Sequence, residues 1–177
     1  VKEITYVTGD ATAPPRFPNE RVLIAHVVND EGKWGRGFVV ALSKRDTRPE
    51  REYRTWHAKN ALHHSSILGK VQEVPYSPLG ARTSSFNTWV ANMCAQRGVR
   101  RGAEDPQALD VEALTWCLRD VARWVGEGRY TRVVMPRIGC GLGGGRWADV
   151  RQIIETELCA RDVDVTVYSL PGETWED

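Results

Sequence analysis

The sequence predicts an α/β domain built on a mixed sheet, and three observations carry that prediction. Short β-rich apolar runs alternate with longer segments of helical period. One run, Val22-Leu23-Ile24-Ala25-His26-Val27-Val28, is nearly continuous in apolar residues, as a strand covered on both faces should be. Two glycine-dense segments each stand between such a strand and a helical pattern.

The elements follow in order. Ile4-Thr5-Tyr6-Val7-Thr8 reads as a first strand, stopped by Gly9-Asp10, and Val22 to Val28 as the second. Phe38 to Lys44 starts a helix, and a further helix follows Pro49, because proline suits a first turn where its missing N–H costs nothing. Lys70 to Val74 and Asn87 to Cys94 are expected strands separated by a Pro/Gly/Ser turn region. Between Pro106 and Val125, apolar residues at Leu114, Cys117, Leu118, Val121 and Val125 fall at offsets of 3, 4, 7 and 11, which describe one helix face. Gly126 and Gly128 supply its stop. Arg132 to Met135 is a short strand closed by Pro136. Trp147, Val150, Ile153, Ile154 and Leu158 mark another amphipathic helix, and Val163 to Leu170 is the closing strand. Ala95 to Asp105 is polar, arginine-rich and without period, the stretch expected to be mobile or functional.

Composition bounds the function. With 177 residues, the expectation is a single domain spanning 1–177. Twenty-four basic and 23 acidic side chains leave a net charge of +1, which argues against broad attraction to nucleic acid or an anionic membrane and leaves room only for a local basic cleft. No apolar run approaches the ~20 residues of a spanning helix, and Val1-Lys2-Glu3 opens no signal-peptide core. The four cysteines stand 23, 23 and 19 residues apart, a spacing that fits neither a zinc site nor a dense disulfide scaffold. A cytoplasmic, monomeric domain with no metal and no cofactor is the expectation.

Eight of the 16 glycines sit in two segments. The first is Asn29-Asp30-Glu31-Gly32-Lys33-Trp34-Gly35-Arg36-Gly37-Phe38; the second is Gly139-Cys140-Gly141-Leu142-Gly143-Gly144-Gly145. Glycine lets a backbone approach a ligand closely and turn its amides and a helix N-terminus toward an anion. Two such loops in one sheet can grip a diphosphate from both sides; the plainer reading is a pair of tight strand-to-helix turns. A Walker A loop is excluded, because Gly145 is followed by Arg146-Trp147 instead of Lys-Ser/Thr. A formal G-x-G-x-x-G occurs at Gly139, Gly141 and Gly144, but Asp164, twenty residues beyond, begins a strand where a ribose-binding acid should end one.

Read together, Thr8-Gly9-Asp10-Ala11-Thr12, His26-Val27-Val28-Asn29 with its Gly35/Gly37 loop, and Met135-Pro136-Arg137-Ile138-Gly139-Cys140-Gly141-Leu142 resemble a macrodomain. Within that superfamily the chain is most similar to the terminal ADP-ribose glycohydrolases and their bacterial relatives, whose pattern Val90-Ala91-Asn92-Met93-Cys94-Ala95-Gln96 also matches. The resemblance runs from Ile4 to Leu170. It implies a three-layer α/β/α sandwich around a mixed, mostly parallel sheet, with ADP-ribose in a cleft at one sheet edge. It further implies that Asp10 accepts from the adenine amino group with help from the Ala11 backbone, and that Gly139, Cys140, Gly141, Leu142, Gly143 and Gly144 wrap the diphosphate. Asn29, Gly35 and Gly37 would border the distal ribose, with Phe38 and Gln96 completing the ADP-ribose site.

The sequence departs from that branch at two points. Its best-understood enzymes use a lysine nucleophile and an aspartate in the second loop; here Gly143 stands at the aspartate position, and the stretch that should carry the lysine holds Arg97, Arg100 and Arg101. Arginine stays protonated and cannot attack. Lys33 in the first loop is a substitute in principle, though a solvated or phosphate-facing role fits it better. The expected activity is therefore removal of mono-ADP-ribose from acyl-linked (Glu/Asp) proteins without a lysyl intermediate, with Asn29, Gly35 and Lys33 as the catalytic set. The alternatives are a non-catalytic ADP-ribose reader, or a hydrolase of ADP-ribose 1''-phosphate, O-acetyl-ADP-ribose or nucleic-acid-linked ADP-ribose.

Other residues weigh less. His26 is an acid/base by type but more often a packed strand residue, and His57, His63 and His64 read as surface residues. Cys140 reads as a small lining residue of the phosphate loop in preference to a nucleophile. Trp34 and Phe38 either stack on the ligand or staple the first helix to the core. Tyr168 and Trp175 are weaker adenine-stacking candidates, and Arg97, Arg100 and Arg101 form either a rim for an acidic partner or a solvated loop.

Overall fold

The computed structural model describes residues 1–80 and 86–173. Trp175 and part of the turn region before the fourth strand lie outside the described residues. Elements follow in the order β1 (Thr5–Thr8), β2 (Val22–Asn29), α1 (Phe38–Arg45), α2 (Arg48–Leu62), β3 (Val71–Tyr76), β4 (Thr88–Gln96), α3 (Val111–Gly126), β5 (Arg132–Pro136), α4 (Trp147–Glu157) and β6 (Val165–Ser169). The strands form one sheet in the order β1-β6-β5-β2-β4-β3. Only β3 runs antiparallel, against β4; every other pairing is parallel.

The period-2 alternation of β2 divides the core in two. Leu23 and Ala25 pack with Leu114, Cys117, Leu118 and Val121 of α3 and with Val150 and Ile154 of α4. Val22, Ile24 and Val28 face the other way, against Leu42 of α1 and Tyr53 of α2. That is why β2 has almost no polar residue: both its faces are covered by helices. The result is the three-layer α/β/α sandwich that the family resemblance implied.

Several boundaries moved for local reasons. Helix α3 starts at Val111 instead of near Pro106, because Asp110 caps it, accepting from the Ala113 amide at 2.9 Å. The four residues before the cap do different work, with Leu109 bridging to Gln96. Ala95 and Gln96, expected in a loop, continue β4, since Asn29 at the end of β2 pairs with Gln96. The register slips there: Val28 pairs with Cys94, then Asn29 with Gln96, a bulge that skips Ala95. Gly126 stays inside α3, and Gly128, at φ 77°, makes the turn. Strand β6 starts late because a 3-10 turn at Cys159–Arg161 and left-handed Asp162 precede it.

Candidate functional site

Strands β2 and β5 are neighbours, yet the helices that follow them depart to opposite faces, α1 to one and α4 to the other. Such a switch point opens a crevice beyond the carboxyl ends of the strands. A cleft of about 1380 Å³ lies there, lined by Gly9, Asp10 and Ala11 after β1, the first glycine loop after β2, Gln96 at the end of β4, the second glycine loop after β5, and Tyr168 of β6. From β1 to β2 is three strand spacings, about 14 Å, so the cleft suits an extended ligand better than a compact one.

Its electrostatics favour an anion. Lys33, Arg36, Arg100, Arg101, Arg137 and Arg146 line it, against Asp10 and Glu173. In the second loop, the amides of Gly144 and Gly145 donate to Gly141 and Gly139 carbonyls at 3.1 and 2.8 Å. Those two bonds curl the loop and leave the amides of Gly141, Leu142 and Gly143 without a protein acceptor among the described residues, a concave run of N–H dipoles. Across the cleft, α1 begins at Gly37 with φ 73° and ψ −140°, a conformation suited to glycine, and has no side-chain cap. The amides of Phe38 and Val39 are therefore open to a ligand, while Val40 already donates to the Gly37 carbonyl at 3.1 Å. The two loops come together at Gly37 and Leu142, where a methyl group on Gly37 would stand 3.7 Å from Leu142 Cδ1.

Glycine at 143 is enforced by the loop. A Cβ there would lie 2.7 Å from the Gly139 carbonyl oxygen, and the Gly143 carbonyl accepts from both Ala108 and Leu109 amides at 3.0 Å. Gly139 is at φ 73° with Leu109 pressed against it, whereas Gly141 and Gly35 face open space. Half-buried Cys140 places its Sγ 3.3 Å from the Ile138 carbonyl oxygen, a lining position.

Asp10 reaches the cleft with its carboxylate partly engaged. Oδ1 accepts from the Thr12 amide at 2.9 Å and the Thr12 hydroxyl at 2.6 Å; Oδ2 accepts from Arg45 Nη2 at 3.0 Å. Partial burial pushes its carboxyl up, but the Thr12 hydroxyl and amide and the Arg45 guanidinium outweigh it and hold the group below the usual aspartate range. One lone-pair site of Oδ2 stays open for a donor. Arg45 was not singled out in the sequence; it also donates to Thr12 Oγ1 at 2.9 Å and the Pro78 carbonyl at 3.2 Å. The Asp-x-Thr pattern of Asp10 and Thr12 was the readable sign of a carboxylate folded back on its own turn.

Asn29 is a loop organiser first. Its Oδ1 accepts from the amides of Glu31 and Lys33 and from the Tyr53 hydroxyl, while Nδ2 donates to the Lys33 carbonyl at 2.7 Å. One amide hydrogen is left for the cleft. Lys33 is mostly exposed and pairs with Glu31 at 2.7 Å. Gln96 is buried with Nε2 donating to the Gly98 carbonyl at 3.0 Å, and it offers the cleft one edge. Phe38 and Trp34 pack on His26 with ring centroids 5.6 and 5.5 Å away, so both staple α1 to the sheet, Phe38 also lining the cleft.

Fully buried His26 donates from Nε2 to Asn92 Oδ1 at 2.6 Å; Asn92 Nδ2 is committed to Pro49 and Gln72 oxygens, which fixes that tautomer. Burial drives its pKa down to about 4, the Asn92 bond opposing weakly. It is a neutral packed residue. His57 corrects the expectation of a surface histidine: it is half-buried, its Nε2 lies 2.9 Å from the Asp30 carbonyl oxygen, and its ring lies against Gly32. His63 and His64 are exposed. Among the described residues there is no His/Cys/Asp/Glu cluster able to hold a metal, and no helix is long and apolar enough to cross a membrane.

No protein-family model matches the chain. A macrodomain protein from Streptomyces coelicolor is 41% identical, with 94% of this chain and 99% of that one covered and a TM-score of 0.75. The human ADP-ribose glycohydrolase OARD1 is 26% identical over 168 residues, 94% of this chain and 91% of that protein. The Danio rerio chromodomain-helicase-DNA-binding protein 1-like is 28% identical over 166 residues; the chain spans 15% of its length.

Proposed function

The chain belongs to the macrodomain superfamily, and from that membership we propose that its cleft binds ADP-ribose and that the protein is a hydrolase releasing mono-ADP-ribose from carboxylate side chains of modified proteins. The observation that carries the reading is the run of uncommitted amides at Gly141, Leu142 and Gly143, facing the uncapped start of α1 across a cation-lined cleft. A diphosphate fits that arrangement, with the adenine amino group on the open site of Asp10 and the distal ribose against Asn29, Gly35 and Gly37. The similarity to human ADP-ribose glycohydrolase OARD1 supports hydrolysis as the activity.

The chemistry follows from what each side chain is free to do. Lys33 is ion-paired, Cys140 lies against a carbonyl, and His26, though it borders the cleft, is buried and neutral. None is poised as a nucleophile, so water attacks the anomeric carbon, a phosphate oxygen of the substrate receiving its proton. An acyl linkage lets this work, because the carboxylate that departs has a pKa near 4 and needs no acid to leave. The glycine loops contribute by fixing the diphosphate and so orienting the anomeric carbon. The spare Asn29 amide hydrogen holds the distal ribose or the water.

The test is release of label from Glu-, Ser-, Arg- and nucleic-acid-linked ADP-ribose, run beside ADP-ribose calorimetry. Release from the glutamate linkage in preference to the others is expected. Binding of ADP-ribose with every substrate left fully labelled would replace the hydrolase by a reader.

A further inference from the structure

The arginine-rich segment after β4 is built into both glycine loops. Gly98 donates its amide to Asp30 Oδ1 at 2.8 Å, and Asp30 donates its own to the Gln96 carbonyl at 3.0 Å, which ties the segment to the first loop. Ala108 and Leu109 tie its other end to the second loop through the Gly143 carbonyl. Between them Arg100 is held along one edge. Its Nε donates to the Asp105 carbonyl at 3.2 Å and Nη2 to the Ala103 carbonyl at 2.8 Å, while the Asp105 carboxylate closes the turn by accepting from the Arg101 amide at 2.6 Å.

The remaining nitrogen, Nη1, has no protein acceptor among the described residues and lies over the second loop, where a Cβ on Gly144 would stand 2.0 Å from it. Arg100 is half-buried, lines the cleft, and among the described residues makes no direct hydrogen bond or ion pair to a carboxylate, although the Asp105 carboxylate lies close enough to feel its charge. A guanidinium fixed by two neutral carbonyls keeps its full charge and one unused donor edge. That edge lies over Gly144 and lines the same cleft as Gly141, Leu142 and Gly143.

We propose that Arg100 is a ligand-contacting residue, donating from Nη1 to the diphosphate of the bound nucleotide and supplying the full positive charge that the backbone amides of the second loop lack. This rests on the ADP-ribose reading of the cleft. It also gives the arginine a role that is electrostatic and needs no deprotonation.

The experiment compares the unsubstituted protein with Arg100→Gln and Arg100→Lys, measuring affinity for ADP-ribose and for inorganic pyrophosphate at low and high salt, with melting temperature as the check on folding. A charge-assisted hydrogen bond predicts a loss of about tenfold or more for Arg100→Gln. The salt sensitivity of binding should be smaller in Arg100→Gln and retained in Arg100→Lys, because lysine restores charge but not the fixed fork. Equal affinity and equal salt dependence in Arg100→Gln overturn the proposal. So does a loss of affinity with salt dependence unchanged, since that marks a role in loop structure alone. An unsubstituted protein that binds neither probe overturns the reading of the cleft as well, whereas one that binds both while matching Arg100→Gln overturns only this inference.

Discussion

Tyr53 holds Asn29 at two points: its hydroxyl lies 2.6 Å from the Asn29 carbonyl oxygen and 2.9 Å from Asn29 Oδ1. A residue buried in α2 thus sets the start of the first glycine loop. Tyr53→Phe removes the donor and leaves a buried carbonyl under-satisfied, an expected cost of about 1–3 kcal/mol. Denaturant unfolding should show that loss, and, on the proposed function, ADP-ribose release should slow because the first glycine loop loosens.

Gly143 and Gly141 should behave as opposites. Gly143→Asp puts a Cβ against the Gly139 carbonyl oxygen, so the second loop must distort, and ADP-ribose affinity is expected to fall by about tenfold or more, as loss of one charge-assisted contact would give. Gly141→Ala meets nothing within 4 Å; it should leave the melting temperature unchanged while its methyl group intrudes on the ligand. Calorimetry and a thermal melt on the pair read both effects.

Arg45→Met should make binding acid-sensitive. The folded Asp10 carboxyl sits below its ordinary value, so the ionised form persists as pH falls and is lost only on passing through that lowered value. Removing Arg45, one of the groups that lower it, moves the midpoint upward. Affinity for ADP-ribose, followed from neutral pH into the carboxylate range, should decline at a higher pH in the variant than in the parent.

His26 predicts an acid limb in stability. Its folded pKa is about 4, below the roughly 6.5 of an unfolded histidine. Between those values the unfolded chain binds the extra proton, so stability falls as pH drops through that window, by about 3 kcal/mol in total. His26→Gln removes the titrating group and should flatten the melting temperature between pH 6.5 and 4; an unchanged slope would assign the limb elsewhere.

Much of the fold was legible because burial writes itself into local pattern. The nearly continuous apolar run of β2 and the offsets from Leu114 to Val125 announced a covered strand and a helix face, and the glycine loops announced backbone able to approach a ligand. What local pattern could not carry were partners distant in sequence. Arg45 meets Asp10 35 positions away, Tyr53 meets Asn29 24 positions away, and the slip after Val28 exists only once β2 lies beside β4. Asn29 shows both sides. Its place at the cleft was readable, but its acceptor is consumed by its own loop and by Tyr53. His57 had no local signal, because a helical histidine looks the same whether or not a loop carbonyl reaches it.

The position of β6 between β1 and β5 has a consequence for how the protein is made. Thr5 finds its neighbour only in Thr166, so β1 stays unpaired until 161 further residues have left the ribosome, on the order of ten seconds or more at ordinary rates of synthesis. Closing so long a loop is slow and comes late. The nascent chain can therefore complete its two glycine loops before Gly9, Asp10 and Ala11 close the far end of the cleft, which is whole only when this strand slots home.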